Sequence, residues 1–222
     1  MFKKLIELLG RESQLNQAFE RSREMLTEDQ EMFEAAVRSL RESDDARLEI
    51  DIYAKDQMIN AYEREVRRKV MTHLAVGGEP DIHAALVLVS IVIDIERIGD
   101  YTKNIVELAL HHPERLTCGP CEPDMRKIET TVRTMFSLLI AALPDSDEDK
   151  AREVMSEHWW IARRSDEIVN RLLEEDDPTL PGKEAVATTL YARYLKRISA
   201  HLKNIASSIV NPFDRIGYRG QN

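Results

Sequence analysis

The chain has 222 residues, with 40 Asp and Glu against 31 Lys and Arg and a formal charge of -9. That balance argues against nucleic acid as a partner, because phosphate binding needs a basic face that releases counterions. The length suits one large domain or two closely packed halves. Aromatics at 6%, with 8 Gly and 8 Pro, favour long amphipathic helices over a sheet protein.

The N-terminus, Met1-Phe2-Lys3-Lys4-Leu5-Ile6-Glu7-Leu8-Leu9-Gly10, carries two lysines but is interrupted by Glu7 and lacks a small-residue cleavage site. It reads as a fraying helix, or as a short amphipathic helix lying on a partner or a membrane surface. The longest apolar run, Ala84 to Ile93, is about half the ~20 residues needed to span a bilayer, so it reads as a buried helix. With no export signal and two cysteines, the expected compartment is the cytoplasm.

Six helices follow from periodicity and stop signals. The first runs from about Arg11 to Leu40, with Phe19, Met25, Leu26, Met32, Phe33, Val37 and Leu40 on its apolar face. Ser43-Asp44-Asp45 is the expected start of the second, with Leu48, Ile52, Ile59, Tyr62, Val66 and Val70 as its stripe and Gly77-Gly78 as its end. Pro80 and Asp81 open the third, which continues to His112. The fourth ends near Leu143, Pro144 to Asp147 starts the fifth, and the sixth ends near Val210. The expected organisation is all-α: a three-helix unit with a short N-terminal extension over residues 1–112, a linker over 113–123, and a second unit with a tail over 124–222. Helices of this length are about 45 Å long, so each unit is an elongated antiparallel bundle.

An internal echo supports two related units. Asp94-Ile95-Glu96-Arg97-Ile98-Gly99-Asp100-Tyr101-Thr102-Lys103-Asn104-Ile105 recurs as Tyr194-Leu195-Lys196-Arg197-Ile198-Ser199-Ala200-His201-Leu202-Lys203-Asn204-Ile205. Arg, Ile, Lys, Asn and Ile keep register, while Glu96 and Asp100 become Lys196 and Ala200. On the third helix Val87, Ile91, Ile98, Ile105 and Ala109 share one side, and Glu96, Asp100 and Glu107 lie nearly opposite.

Carboxylates one turn apart stand roughly 6 Å apart at Cβ and repel unless a cation lies between them. Hard oxygen donors suit multivalent ions, although Glu-x-x-x-Asp on a charged helix also serves as a solvated face paired with Arg97 or Lys103. The second helix offers Asp56 and Asn60 at the same spacing, with Glu63 on their flank. If the two helices are neighbours, these oxygens face Glu96 and Asp100, as in helical carboxylate sites. Matching Ile168 to Ile59 puts Ser165 and Val169 in the places of Asp56 and Asn60, so the second copy is expected to have lost the set.

The third-helix motif and the stretch Lys55-Asp56-Gln57-Met58-Ile59-Asn60-Ala61-Tyr62-Glu63-Arg64-Glu65-Val66 closely resemble the PhoU family, regulators of phosphate uptake. The resemblance covers nearly the whole chain and implies tandem three-helix bundles without enzymatic activity. It also implies iron or zinc bound by Glu/Asp-x-x-x-Asp motifs, which land on Glu96 and Asp100, and on Asp56 with Asn60 in place of an acid. The pattern departs at Ser165, Val169, Lys196 and Ala200. As partners the family implies a phosphate ABC transporter and a phosphate-sensing histidine kinase or, in some members, a sodium-phosphate cotransporter; a homodimer with peripheral membrane contact through its partner is expected.

Other readings compete. A ferritin-like oxidase wants Glu-x-x-His on two helices, and no His here has a Glu three residues before it. A purely structural bundle would leave the acids solvated. Cys118-Gly119-Pro120-Cys121 matches a thioredoxin tetrapeptide but follows a helix, with no parallel-sheet pattern in the chain. A zinc clip with His111 or His112 has suitable ligand types; two incidental thiols in a loop is the favoured reading. Trp159 and Trp160 suit a dimer or partner surface, or a ring covered by Arg side chains.

Overall fold

The computed structural model describes residues 13–77, 82–174 and 180–219. The expected Pro80-Asp81 start, the 175–179 part of the fifth connection and the N-terminal segment 1–12 lie outside them. Six long helices are present, α1 (Gln14–Arg41), α2 (Ile52–Gly77), α3 (Ile82–His111), α4 (Glu122–Ala142), α5 (Glu148–Glu174) and α6 (Gly182–Val210), and no strand occurs among the described residues. No described helix is long and apolar enough to cross a membrane.

Local chemistry sets the helix ends. Ser13 Oγ accepts from the Asn16 N–H at 3.1 Å and caps α1. The start of α2 falls later than Ser43-Asp44-Asp45. There Ser43 Oγ and Asp45 Oδ1 both accept from the Arg47 N–H, at 3.0 and 3.1 Å, and Ala46 takes φ 52°. Ser and Asp side chains that bond nearby backbone N–H groups serve turns as well as helix caps, and here, with Ala46 in the left-handed region, the bonds close a turn. The cap is instead Asp51, whose Oδ1 accepts from the Ala54 N–H at 3.0 Å. Asp147 does the same for α5, accepting from the Lys150 N–H at 3.0 Å.

α1, α2 and α3 pack mutually, as do α4, α5 and α6; the two trios meet through α1 against α4 and α3 against α6. Burial along α1 repeats along α4 position for position: Met25, Leu26, Asp29, Met32, Phe33, Ala36 and Leu40 correspond to Ile128, Glu129, Val132, Met135, Phe136, Leu139 and Leu143. Two equivalent residues, Phe33 and Phe136, touch each other with ring centroids 5.4 Å apart, so an approximate two-fold axis passes between them. Each ring out of water is worth about 1.5–3 kcal/mol.

The α3–α6 contact obeys the same symmetry. Asp94 Oδ1 receives His201 Nδ1 at 2.7 Å and Asn204 Nδ2 at 2.9 Å. Tyr194 and Tyr101, the echoes of Asp94 and His201, stand with ring centroids 6.3 Å apart. Of the outward acids of α3, Glu96 and Asp100 remain half-buried in a groove beside α2 and Glu107 half-buried beside α6, while the opposite line from Val87 to Ala109 is buried.

Candidate metal centre

α2 and α3 run side by side, and the four expected oxygen donors lie along their shared groove. Lys103 Nζ donates to Asp56 Oδ1 at 2.7 Å and reaches Asp100 Oδ1 at 3.3 Å, bridging the two helices. Asn60 Nδ2 lies 3.4 Å from Asp56 Oδ2, one turn along. Arg97 donates to Asp100 Oδ2 at 3.0 Å and stands 3.6 Å from Glu96 Oε2. Glu63 flanks the groove and pairs with Arg67 at 2.8 Å.

The field of this groove is negative. Burial first, then Asp100, Glu63 and Asp56, raise the Glu96 carboxyl above its ordinary value against the pull of Arg97. Burial would lower the Lys103 ammonium, but its hydrogen bonds and charge pairing with Asp56 and Asp100 raise it instead. Lys103 therefore stays charged and holds the acids together.

Behind the groove stands a residue the sequence reading passed over. Asp29 of α1 is fully buried, and neither of its oxygens has a hydrogen-bond partner. Burial, then the charges of Glu96, Glu28, Asp56 and Asp100, push its carboxyl well above the usual range. Oδ1 lies 2.9 Å from where a Cβ on Gly99 would stand, so the carboxyl rests against α3 at Gly99, the residue before Asp100. A legible signal existed: Asp29 follows Leu26 and precedes Met32 and Phe33 at helical spacing, placing an acid on the apolar stripe.

The donor set fits a hard multivalent ion in chemistry: carboxylates from α2 and α3, an amide oxygen from Asn60, and an orphaned acid behind them. As placed, no three His, Cys, Asp or Glu side chains converge on one point among the described residues. Lys103 spans the gap between Asp56 and Asp100.

The second copy inverts the charge. Lys196, the echo of Glu96, binds Asp166 at 2.6 Å. Ser199, the echo of Gly99, contacts His158 Nδ1 at 3.0 Å. Burial, then Lys203, Lys196 and His201, lower His158 to about 4. Lys203, the echo of Lys103, donates to the Gly217 carbonyl and sits 5.7 Å from the Trp159 ring, which Arg219 covers at 4.2 Å. Trp159, not Ser165, thus stands against Lys203 as Asp56 stands against Lys103 in the first copy. The register expected from Ile168 is displaced because α5 packs by its own burial pattern, in which Ser165 is fully buried.

The remaining candidates resolve simply. Neither cysteine forms a disulfide, both are buried, and Gly119–Cys121 forms a 3-10 turn leading into α4. Burial pushes the Cys118 thiol up to about 11 despite nearby Arg41. His112 Nδ1 contacts the Glu114 carbonyl at 2.7 Å and His111 is exposed, so no zinc clip is assembled. Trp160 lies under Lys127 at 4.4 Å.

The class these features define is a tandem helical-bundle protein with one acidic interhelical groove. The chain belongs to the PhoU family: the PhoU domain matches residues 22–109 and 125–209. The fold resembles that of PhoU from Pseudomonas aeruginosa, with a TM-score of 0.79 at 23% identity over 90% of this chain and 97% of that one. It also resembles the phosphate transport system regulatory protein PhoU from Streptococcus pneumoniae, with a TM-score of 0.73 at 19% identity over 88% and 93% of the two chains. No curated protein matches the sequence.

Proposed function

We propose that the protein is a non-enzymatic regulator of phosphate uptake and of phosphate-starvation signalling. It acts as an adaptor, in the cytoplasm and as a homodimer, between a phosphate transporter and a phosphate-sensing histidine kinase. Its family membership supports the regulatory role, and the acidic α2/α3 groove carries the rest of the reading. Asp56, Asn60, Glu96 and Asp100 hold one multivalent ion of the iron or zinc type, and Lys103 swings aside when the ion arrives. The ion neutralises charges that a single ammonium now bridges, and so fixes the groove in one geometry for a partner.

Elemental analysis of protein purified without chelator, with melting curves under added iron or zinc, tests the ion. At a hundredfold excess over Kd a bound ion adds about 2.7 kcal/mol, visible as a rise of several degrees. Absence of metal together with an unchanged melting point would leave only the metal-free adaptor. Deleting the gene and following phosphate uptake in phosphate-rich medium tests the regulation; uptake is expected to become unrestrained. Co-purification with a sodium-phosphate cotransporter instead of an ABC transporter would reassign the partner.

A further inference from the structure

Each trio buries one carboxylate on the inward face of its first helix, and the two are treated differently. Glu129 occupies the position of Leu26 and receives Arg41 Nε at 2.7 Å. Asp29 occupies the position of Val132 and receives nothing, although it too is out of water. The duplicated half shows that the fold needs no acid there, since Val132 fills the place completely buried. Burying an ionised carboxylate without a partner costs several kcal/mol, and the group otherwise stays protonated. Such a residue is stable and ionised only if a cation comes to it.

The surroundings say from where. The charges acting on Asp29 are those of Glu96, Glu28, Asp56 and Asp100, all negative. The nearby cations are committed elsewhere: Lys55 to Glu28 and Glu31, Lys103 to Asp56 and Asp100, Arg97 to Asp100. Gly99 lets the carboxyl approach, because a side chain at that position would meet Oδ1 at 2.9 Å. In the half that lost its acids Val132 and Ser199 replace the pair, so buried acid and glycine occur together with Glu96 and Asp100 and are missing together with them.

We infer that Asp29 is a core-side ligand of the ion in the α2/α3 groove, a carboxylate reaching from α1 toward the gap between Glu96 and Asp100. The inference rests on the proposed ion site and extends it from two helices to three, so that binding ties α1 to the α2–α3 pair. On loading, the Asp29 carboxyl releases its proton to solvent and donates an oxygen lone pair to the ion.

The test compares wild-type protein with Asp29→Val, the residue its own second half uses, and with the near-isosteric Asp29→Asn. Zinc ion alone is titrated by calorimetry, and melting is followed with and without zinc. Asp29→Val is expected to melt higher than wild type without metal and to bind zinc about 10-fold or more weakly. Asp29→Asn is expected to lose affinity with little change in the metal-free melt, which keeps the test decisive if the valine variant fails to fold. Wild-type affinity in either variant overturns the inference. Absence of zinc binding in wild type itself sinks the ion site instead, a separate outcome.

Discussion

Arg41 donates from Nε to Glu129 Oε1 at 2.7 Å, with Arg41 0% and Glu129 1% exposed, across the contact between the two trios. The same guanidinium holds Glu122 at 2.7 and 2.8 Å and the Leu116 carbonyl, so one side chain at the end of α1 fastens both the linker and the start of α4. Burial would raise the Glu122 carboxyl, but the hydrogen bonds from Arg41 and from the Cys118 N–H hold it below its ordinary value. Arg41→Ala strands a buried carboxylate and is expected to cost about 3–5 kcal/mol, measured by urea unfolding at neutral pH. A loss under about 1 kcal/mol would mean that water replaces the guanidinium at the junction.

Lys103 is a competitor for the groove. Its replacement by Met leaves Asp56 and Asp100 unbridged, and the metal-free protein is expected to lose about 0.5–1 kcal/mol. Under the proposed function the same variant binds zinc more tightly, because no ammonium has to be displaced. Unchanged or weaker affinity by calorimetry would show that Lys103 does not occupy the ion's place.

Acid destabilisation is expected from His158. Its folded ring titrates at about 4 against an ordinary 6.5, so the unfolded chain takes up the proton first as pH falls. Its stabilising contribution is complete above about pH 6.5, is lost progressively toward pH 4, and amounts to roughly 3 kcal/mol. Urea midpoints at pH 7, 5.5 and 4 read the slope, and His158→Phe should flatten it. A parallel slope in that variant would assign the effect to other groups.

The thiols are expected to be inert. With Cys118 pushed up to about 11 and both sulfurs buried, iodoacetamide at pH 8 should label neither in the native protein and both in urea. Rapid native labelling would indicate opening of the linker between the trios.

Helical identity was legible because it is local. Apolar residues at i, i+3, i+4 and i+7 reveal a helix face without reference to any neighbour, and the stripe from Phe19 to Leu40 is buried as its spacing implies. The line Glu96–Asp100 opposite Val87–Ala109 was readable for the same reason. The start of α2 was not, since Ser43 and Asp45 are good caps as well as good turn formers. The counterpart of Asp56 in the second half was also misplaced, because helix register against a neighbour depends on the packing of both partners.

By itself, the order of residues determined the six amphipathic rods, the duplication and the acidic line of α3, all of which depend on spacing along one chain. Only the tertiary structure decided that Lys103 bridges the donors, that His158 faces Ser199, and that Asp29 is sealed against Gly99. Those relations arise from side chains on different helices competing for one volume, where a carboxyl's solvation and partners follow from what the other helices leave uncovered.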